Sequence, residues 1–379
     1  ALRESVQEDL RIKALEELAH WGDAKPRDAV IGVWRPLAAR NPEEAQAQLS
    51  AFVNKLLVDK SEPFLKAASA AAGALKVNEA GTALKVVAIN SKLTGGTRAE
   101  ALKALKAINA PDLATVVEMA VADKDPAFRS EGRNLLASLE PARAVELIRE
   151  VLEKASNREK QVAFATLAEM KDARADALLA VWMKRMTEDR VPAAVRLDIL
   201  TAAQLRANSD DNTELKNALA SYLSSKSSDD PLSAYIECLE GGQGSEGKNV
   251  VWNNTAAACL RCHIVTDKGG NVGPELNGIG KRYDRRTILE SIVNPNAKIA
   301  EGFQSVVLGL KDGTVVAGVL RKETPEEIVI VTAEAKTIAI PTSEVEERAK
   351  GISAMPNDIA SKLTKQEIRD VVEYLFRLK

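Results

Sequence analysis

Two cysteines and a histidine occur together in the order Cys259-Leu260-Arg261-Cys262-His263. In a C-x-x-C-H pattern the two thiols can add to the vinyl groups of a porphyrin as thioethers, and the histidine can bind the iron. The 379-residue chain has three cysteines and two histidines in all, so chance is a poor explanation for this pattern. The pattern predicts one covalently attached haem c, with His263 as an axial ligand.

A zinc site is the alternative use of the same thiols. Cys259, Cys262 and the remaining Cys238 could bind Zn²⁺, with His263 or His20 as the fourth ligand. Adjacent residues such as Cys262 and His263 rarely reach one small ion, and the chain has no second C-x-x-C pair. The spacing therefore favours haem. We expect Cys238 to be a packing residue, with a reactive or dimerising thiol as the alternative.

Length and charge limit the other classes of function. A chain of 379 residues is long enough for two or three domains. Its formal net charge of −2 gives no basic field of the kind that binds nucleic acid or anionic membranes. No apolar run is long enough to span a membrane. Because the chain begins with neither Met nor a signal peptide, we expect a processed form or an excised portion of a longer protein.

Residues 1–228 have apolar side chains at helical spacing, interrupted by short polar or proline-containing segments. A similar apolar pattern recurs every 31 to 33 residues, at Leu75, Ile108, Leu139 and Met170. This period is typical of an α-solenoid, in which each helix pair buries its face only against its neighbours. The run resembles HEAT repeats. Periodicity alone leaves TPR and armadillo geometry open, although the TPR sequence pattern is missing.

A change of composition marks the end of the helical region. A Ser-, Lys- and Asp-rich run leads to Pro231 and is followed by a Gly-rich loop, which predicts a linker at 229–244. A second domain is then expected over 245–379. Its first helix is expected to be capped by Ser245, and its last helix to open with a capping box at Thr364.

The spacing of apolar residues changes from helical to alternating after Pro295. Strand-like segments rich in Val and Ile cover 303–310, 314–321, 327–333 and 337–340. Asp312-Gly313 is a strong hairpin-turn signal between the first two. We therefore predict a mainly α protein with a small antiparallel β-meander inserted at about 303–349.

Four motifs in residues 240–379 carry a specific resemblance beyond the haem pattern. They are Val-Gly-Pro-Glu-Leu-Asn-Gly from Val272, Ile-Leu-Glu-Ser-Ile-Val-Asn-Pro-Asn from Ile288, Lys-Asp-Gly-Thr-Val from Lys311 and Ser-Ala-Met-Pro from Ser353. Together they resemble the haem-binding domain of the planctomycete and verrucomicrobial type. In that family the domain commonly follows HEAT-like repeats and a β-propeller similar to soluble sugar or alcohol dehydrogenases. This chain has no propeller pattern.

The resemblance implies a class I cytochrome c fold, in which the first and last helices cross near a glycine. Gly247 and Tyr374 match that contact. It also implies that the Pro274 carbonyl accepts a hydrogen bond from the His263 imidazole and that Leu276 presses on the haem face. Taken alone, the same segment is also consistent with an ordinary Gly-Pro turn.

The sixth ligand of the iron is expected to be Met355. It is the only one of five methionines that follows the haem motif, and it lies in an irregular segment before Pro356. Ligation by His263 and Met355 stabilises ferrous iron and raises its potential relative to two histidines. An iron without Met355 would instead bind external ligands, as in a haem-based gas sensor or a peroxidase-like site.

Basic residues follow the proline-containing loop, at Lys281, Arg282, Arg285 and Arg286. Because guanidinium groups suit carboxylates, the cluster could pair with haem propionates or dock an acidic partner, with plain surface solvation as the alternative. We expect Arg282 and Tyr283 to contact the propionates.

These expectations point to an electron-transfer protein. It would accept single electrons from a dehydrogenase domain or partner and pass them to a downstream acceptor, outside the cytoplasm, where c-type haem is attached. No catalytic constellation is recognisable, so we expect the chain to be the electron-transfer portion of a larger oxidoreductase rather than an enzyme on its own. A solenoid interaction scaffold carrying a haem module is the other alternative.

Overall fold

The computed structural model describes residues 5–23, 38–208 and 212–379. The fold is mainly helical and includes a five-stranded antiparallel sheet. The chain divides into two compact units between Leu178 and Leu179. The boundaries expected at 228 and 244 both fall within the second unit and stay predictions. None of the described helices is both long enough and apolar enough to cross a membrane.

The first unit consists of helices joined by short connections. They are α1 (Glu8–Ala19), α2 (Pro42–Ser50), α3 (Val53–Leu56), α4 (Glu62–Ala74), α5 (Gly81–Ile89), α6 (Gly95–Ala107), α7 (Leu113–Val121), α8 (Pro126–Leu139), α9 (Pro141–Lys154) and α10 (Asn157–Glu169), with α11 (Ala173–Thr187) crossing the division. Helix α4 packs against α6, α6 against α8 and α8 against α10. The recurring apolar residues Leu75, Ile108, Leu139 and Met170 lie at the C-terminal ends of these four helices. The sequence period therefore corresponds to one step along this stack.

A largely buried ion pair joins α6 to the connection just before α8. Arg98 of α6 lies 2.7 Å from the carboxylate of Asp123, and its guanidinium carbon is 4.0 Å from the centroid of the Phe128 ring in α8. Asp123 also accepts the N–H of Asp125, the N-cap residue of α8, at 2.8 Å. A second set with the same arrangement joins α1 to the start of α4: Arg11 of α1 pairs with Asp59, just before α4, and stacks on Phe64 of α4. The Arg98–Asp123 pair therefore stabilises both the start of α8 and its packing against α6.

We expect Asp123→Asn to destabilise the first unit by about 2 kcal/mol, the size of a hydrogen bond to a charged group. The change leaves the Arg98 guanidinium, which is 5% exposed, without its anionic partner. Hydrogen bonds from Arg98 hold the pKa of Asp123 below its usual value of 3.8. This stabilisation is therefore present above about pH 4 and is lost as the pH falls through the lower pKa of the folded state.

Urea unfolding at neutral and at acidic pH measures the effect. The difference between the wild-type protein and Asp123→Asn must shrink on acidification. Glu118→Gln is the control, because Glu118 pairs with Arg143 on the exposed surface, where ion pairs contribute little to stability. Equal losses in the two variants, or a difference independent of pH, would contradict this account.

The second unit combines the end of α11 with further helices and the sheet. Its other helices are α12 (Arg196–Arg206), α13 (Thr213–Ser224), α14 (Gly244–Asn253), α15 (Ile279–Arg282), α16 (Arg285–Val293) and α17 (Lys365–Arg377). Its strands are β1 (Ser305–Leu310), β2 (Val315–Glu323), β3 (Glu327–Val331), β4 (Thr337–Pro341) and β5 (Val345–Lys350). The sheet thus lies between α16 and α17 in the chain, where the insertion was expected.

Helices α14 and α17 cross at the glycine that the sequence indicated. A Cβ atom at Gly247 would lie 1.9 Å from the Asp370 carbonyl oxygen and 2.8 Å from Tyr374 Cβ, so no larger residue fits there. The expected contact between Gly247 and Tyr374 is confirmed. Close backbone approach of this kind lets two helices bury their apolar faces against each other.

Of the two helix caps predicted from the sequence, one is confirmed and the other is not. The capping box at Thr364 is confirmed, since its side chain and that of Glu367 each accept the other residue's backbone N–H. The expectation of an N-cap at Ser245 was wrong, because α14 already begins at Gly244. The carboxylate of Asp370 in α17 accepts the N–H of the N-cap residue, Gln243, at 2.7 Å. A tertiary contact thus satisfies the end of the helix.

The sheet has the strand order β4-β3-β2-β1-β5, all antiparallel. Strands β1 to β4 form the expected meander, and the expected turn at Asp312-Gly313 is present, with Gly313 at φ +83°. Strand β5 was not predicted, because its residues from Val345 to Lys350 are mostly charged and exposed and therefore lack alternation. One face of the sheet buries Val306, Leu308, Ile328, Ile330 and Ile340.

Candidate cofactor site

The C-x-x-C-H segment forms a tight turn after α14. Residues Cys259–Arg261 make one 3₁₀ turn, and the N–H of His263 donates to the Cys259 carbonyl at 3.0 Å. Ala258 precedes the turn in the left-handed region, at φ +46°. Cys259 and Cys262 are both unpaired and half-buried, and burial raises the pKa of each thiol. Both sulfurs are therefore protonated at neutral pH.

The imidazole of His263 is held by a backbone carbonyl. Its Nδ1 lies 2.7 Å from the Pro274 carbonyl oxygen, eleven residues further along the chain. Because a carbonyl can only accept, Nδ1 carries the proton, which leaves Nε2 as the basic ring nitrogen. Burial lowers the pKa of the imidazole, against the opposing effect of the Pro274 hydrogen bond. The structure thus brings His263 and Pro274 together as the sequence indicated.

Gly273 lies directly against the imidazole. A Cβ atom at this position would be 2.6 Å from His263 Cε1 and 2.9 Å from Nδ1, closer than a methyl group can approach. The Gly273 N–H donates to the Cys262 carbonyl at 2.8 Å, which ties this segment to the cysteine turn. Gly273 belongs to the motif that begins at Val272, but no role for it was predicted. Its role follows from the close approach of the backbone to the ring.

One mainly apolar cleft contains most of the expected site. Seven of the eight expected residues line it: Cys259, Cys262, His263, Pro274, Leu276, Tyr283 and Met355. Further apolar residues of the lining come from α14, α15, α16, α17 and the loop before β1, and Glu290 of α16 also lines the cleft. Residues far apart in the chain thus meet around one space.

The loop that carries Met355 is fixed by Asn296. Ser353 donates its N–H to Asn296 Oδ1 at 2.7 Å, and Asn296 Nδ2 donates to Asn357 Oδ1 at 2.5 Å. The N–H of Met355 itself donates to Ser353 Oγ at 3.2 Å. Asn296 therefore holds the chain on both sides of the methionine. Asn296 is the last residue of the motif that begins at Ile288, but its contacts with the Met355 loop were not predicted.

Arg282 does not line the cleft. Its guanidinium donates to the carbonyls of Asn277 at 2.8 Å and of Glu275 at 2.9 Å, and so braces the loop after Pro274. Its expected contact with propionates stays a prediction. Tyr283 does line the cleft, and Lys298, which sequence analysis missed, lies there too, with its Nζ 5.9 Å from the Tyr283 ring centroid. Lys298 stands in an irregular loop where no local pattern could reveal it.

The other arginines of the basic cluster are paired within the second unit. Arg285 lies 2.6 Å from Glu373, and Arg286 lies 2.8 Å from Asp230. The Arg285 guanidinium also stacks on the Phe376 ring at 3.9 Å. These pairs connect α16 with α17 and with the segment after α13.

The donors of the alternative zinc site are not assembled. Across 5–23, 38–208 and 212–379, no three His, Cys, Asp or Glu side chains form a group that could hold a metal ion. Cys238 is fully buried in the apolar core, its Sγ donates to the Lys365 carbonyl at 3.4 Å, and burial raises its pKa to about 12. It is the packing residue that we expected. His20 is an exposed residue at the C-terminal end of α1.

The side chains of the cleft fit a covalently bound haem. Two thiols, an imidazole with its Nε2 unprotonated and a thioether line one apolar space, which is the donor set of a His/Met c-type haem. Neither a protein-family model nor a curated protein matches the chain. The inference of a haem site in this cleft therefore depends on the residues that line it.

We expect Gly273→Ala to displace the imidazole of His263 and to cost about 1–3 kcal/mol, as overpacking of a well-filled site does. NMR of ¹⁵N-labelled imidazole should show loss of the hydrogen-bonded Nδ1 proton, and urea unfolding should show the destabilisation. Gly96→Ala is the control, because a Cβ there meets nothing within 4 Å. An unchanged imidazole spectrum in Gly273→Ala would contradict the packing described here.

Proposed function

We propose that the C-terminal part of the chain, about residues 245–379, is a class I c-type cytochrome that transfers single electrons. The observation that carries this proposal is the meeting of Cys259, Cys262, His263 and Met355 on one apolar cleft. Chance does not explain why the methionine lies with the C-x-x-C-H turn, since 92 positions and a whole sheet separate it from His263 in the chain.

Five residues of the cleft have specific roles in this proposal. Cys259 and Cys262 would hold one haem c as thioethers, and His263 and Met355 would bind its iron. The haem supplies one-electron chemistry between ferric and ferrous iron. The Pro274 carbonyl fixes the imidazole tautomer and makes Nε2 a stronger donor. The apolar lining keeps water away from the iron, which tunes its potential.

We also propose a HEAT-like α-solenoid over 1–228. The helix stacking at a period of about 31 to 33 residues supports it. Solenoids offer an extended surface for other proteins, so this region would dock the electron donor or acceptor. The resemblance stated above implies a donor of the sugar- or alcohol-dehydrogenase type, and attachment of c-type haem implies an extracytoplasmic location.

The intact mass of the protein tests haem attachment. After expression with export and c-type maturation, the wild-type chain should carry one covalently bound porphyrin. Cys259→Ser and Cys262→Ser should each lose one thioether, and the double variant should carry no covalent porphyrin. Cys238→Ser is the matched control, because this thiol is packed against Lys365, and it should keep full attachment. A wild-type mass equal to that of the bare polypeptide would overturn the proposal.

Carbon monoxide distinguishes electron transfer from ligand sensing. If the Met355 thioether occupies the sixth position, the ferrous wild-type protein should bind carbon monoxide slowly and weakly, whereas Met355→Ala should bind it at once. Met119→Ala is the control, since Met119 is an exposed residue of α7. Rapid binding by the wild-type protein would favour a gas sensor or peroxidase-like site instead.

A further inference from the structure

One residue of the sheet lies beside the candidate cofactor site because of a break in strand pairing. In the β2–β3 ladder Leu320 pairs with Ile330, but Lys322 pairs with Val329, so Arg321 is the extra residue of a β-bulge. A bulge re-aims the side chain of the extra residue, and bulges are common next to functional sites.

The re-aimed side chain of Arg321 contacts two loops. Its Nη2 donates to the Asn271 carbonyl and lies 3.5 Å from the Val272 carbonyl, and its Nη1 lies 3.3 Å from the Gly302 carbonyl. The guanidinium also stacks on the Phe303 ring, 4.5 Å from its centroid. A planar guanidinium is suited to several carbonyls at once because its donors have a fixed fork geometry.

The segment that Arg321 binds leads directly to the imidazole. Val272 is 1% exposed and packs against Val319 of β2 and Val331 of β3. The next two residues, Gly273 and Pro274, are those that contact His263. The sheet therefore supports the backbone immediately before the carbonyl that accepts the hydrogen bond from the imidazole.

The same packing reaches the other side of the cleft. Cys262, Phe303 and Ala354 all pack against the cluster formed by Val272 and the two strand valines. Ala354 directly precedes Met355 in the chain. The sheet thus contacts both the turn that holds the imidazole and the loop that holds the thioether.

We propose that the inserted sheet is a positioning element of the cofactor site and that Arg321 is the positioning residue that keeps the Pro274 carbonyl against His263. This inference rests on the proposed haem function. Hydrogen bonds weaken steeply as distance and angle depart from their optimum. Releasing residues 271–272 therefore weakens the bond to Nδ1, which makes the imidazole a poorer donor to iron.

The iron–histidine stretching frequency reports this effect. In a Met355→Ala background the ferrous iron has histidine as its one protein ligand, and resonance Raman spectroscopy reads the strength of that bond. Arg321→Leu should lower the frequency, and Arg321→Lys should lower it less, because an ammonium can satisfy some of the carbonyls but not all. Arg348→Leu is the matched control, since Arg348 of β5 pairs with Glu323 on the exposed surface of the same sheet.

A second readout does not depend on iron. Hydrogen exchange of the backbone amides of 271–276, compared in the full chain, should accelerate in Arg321→Leu and stay unchanged in Arg348→Leu. If Arg321→Leu lowers thermal stability but leaves the iron–histidine frequency of the Met355→Ala background and the exchange rates unchanged, Arg321 has a merely structural role and the inference is overturned. Full covalent haem with an unchanged frequency also overturns it and leaves the cytochrome proposal intact, whereas absence of covalent porphyrin overturns the cytochrome proposal itself.

Discussion

The hydrogen bond from His263 Nδ1 to the Pro274 carbonyl, at 2.7 Å, is the interaction on which the candidate site depends. It fixes the tautomer, so Nε2 is the nitrogen left for a metal. A single bond of this kind contributes only about 1 kcal/mol net. Its geometry must therefore be imposed by the surrounding chain. Gly273 allows the close approach, and the bond from its N–H to the Cys262 carbonyl ties the same segment to the cysteine turn.

Two larger elements supply that geometry. Helices α14 and α17 cross at Gly247 with their backbones in close contact, and a Gly280 Cβ would lie 1.9 Å from the Phe376 carbonyl oxygen, so α15 approaches α17 as closely. The sheet packs on the segment before Pro274 through Val272. Because protein interiors are closely packed, such contacts transmit small displacements to the imidazole instead of absorbing them. An insertion that looks peripheral in the sequence is thus part of the site.

The parts of the site that the sequence predicted are local or carry strong residue-type signals. Cys259, Cys262 and His263 stand in one pattern, and alternation of apolar residues marked four strands. The features of the structure that were not predicted depend on tertiary contacts. Arg321 is placed by a β-bulge, which no residue type in the sequence indicates. The start of α14 is held by Asp370, which lies more than a hundred residues further along the chain and accepts the Gln243 N–H in place of the expected Ser245 cap.

The proposed function requires that the His263 imidazole and the Met355 thioether bind the same iron across one cleft. The far-red absorption band of the oxidised protein is the decisive measurement, because the band arises from a methionine sulfur bound to ferric haem. We expect the band in the wild-type protein and its loss when Met355 is replaced. A fully haem-loaded wild-type protein without the band would contradict it.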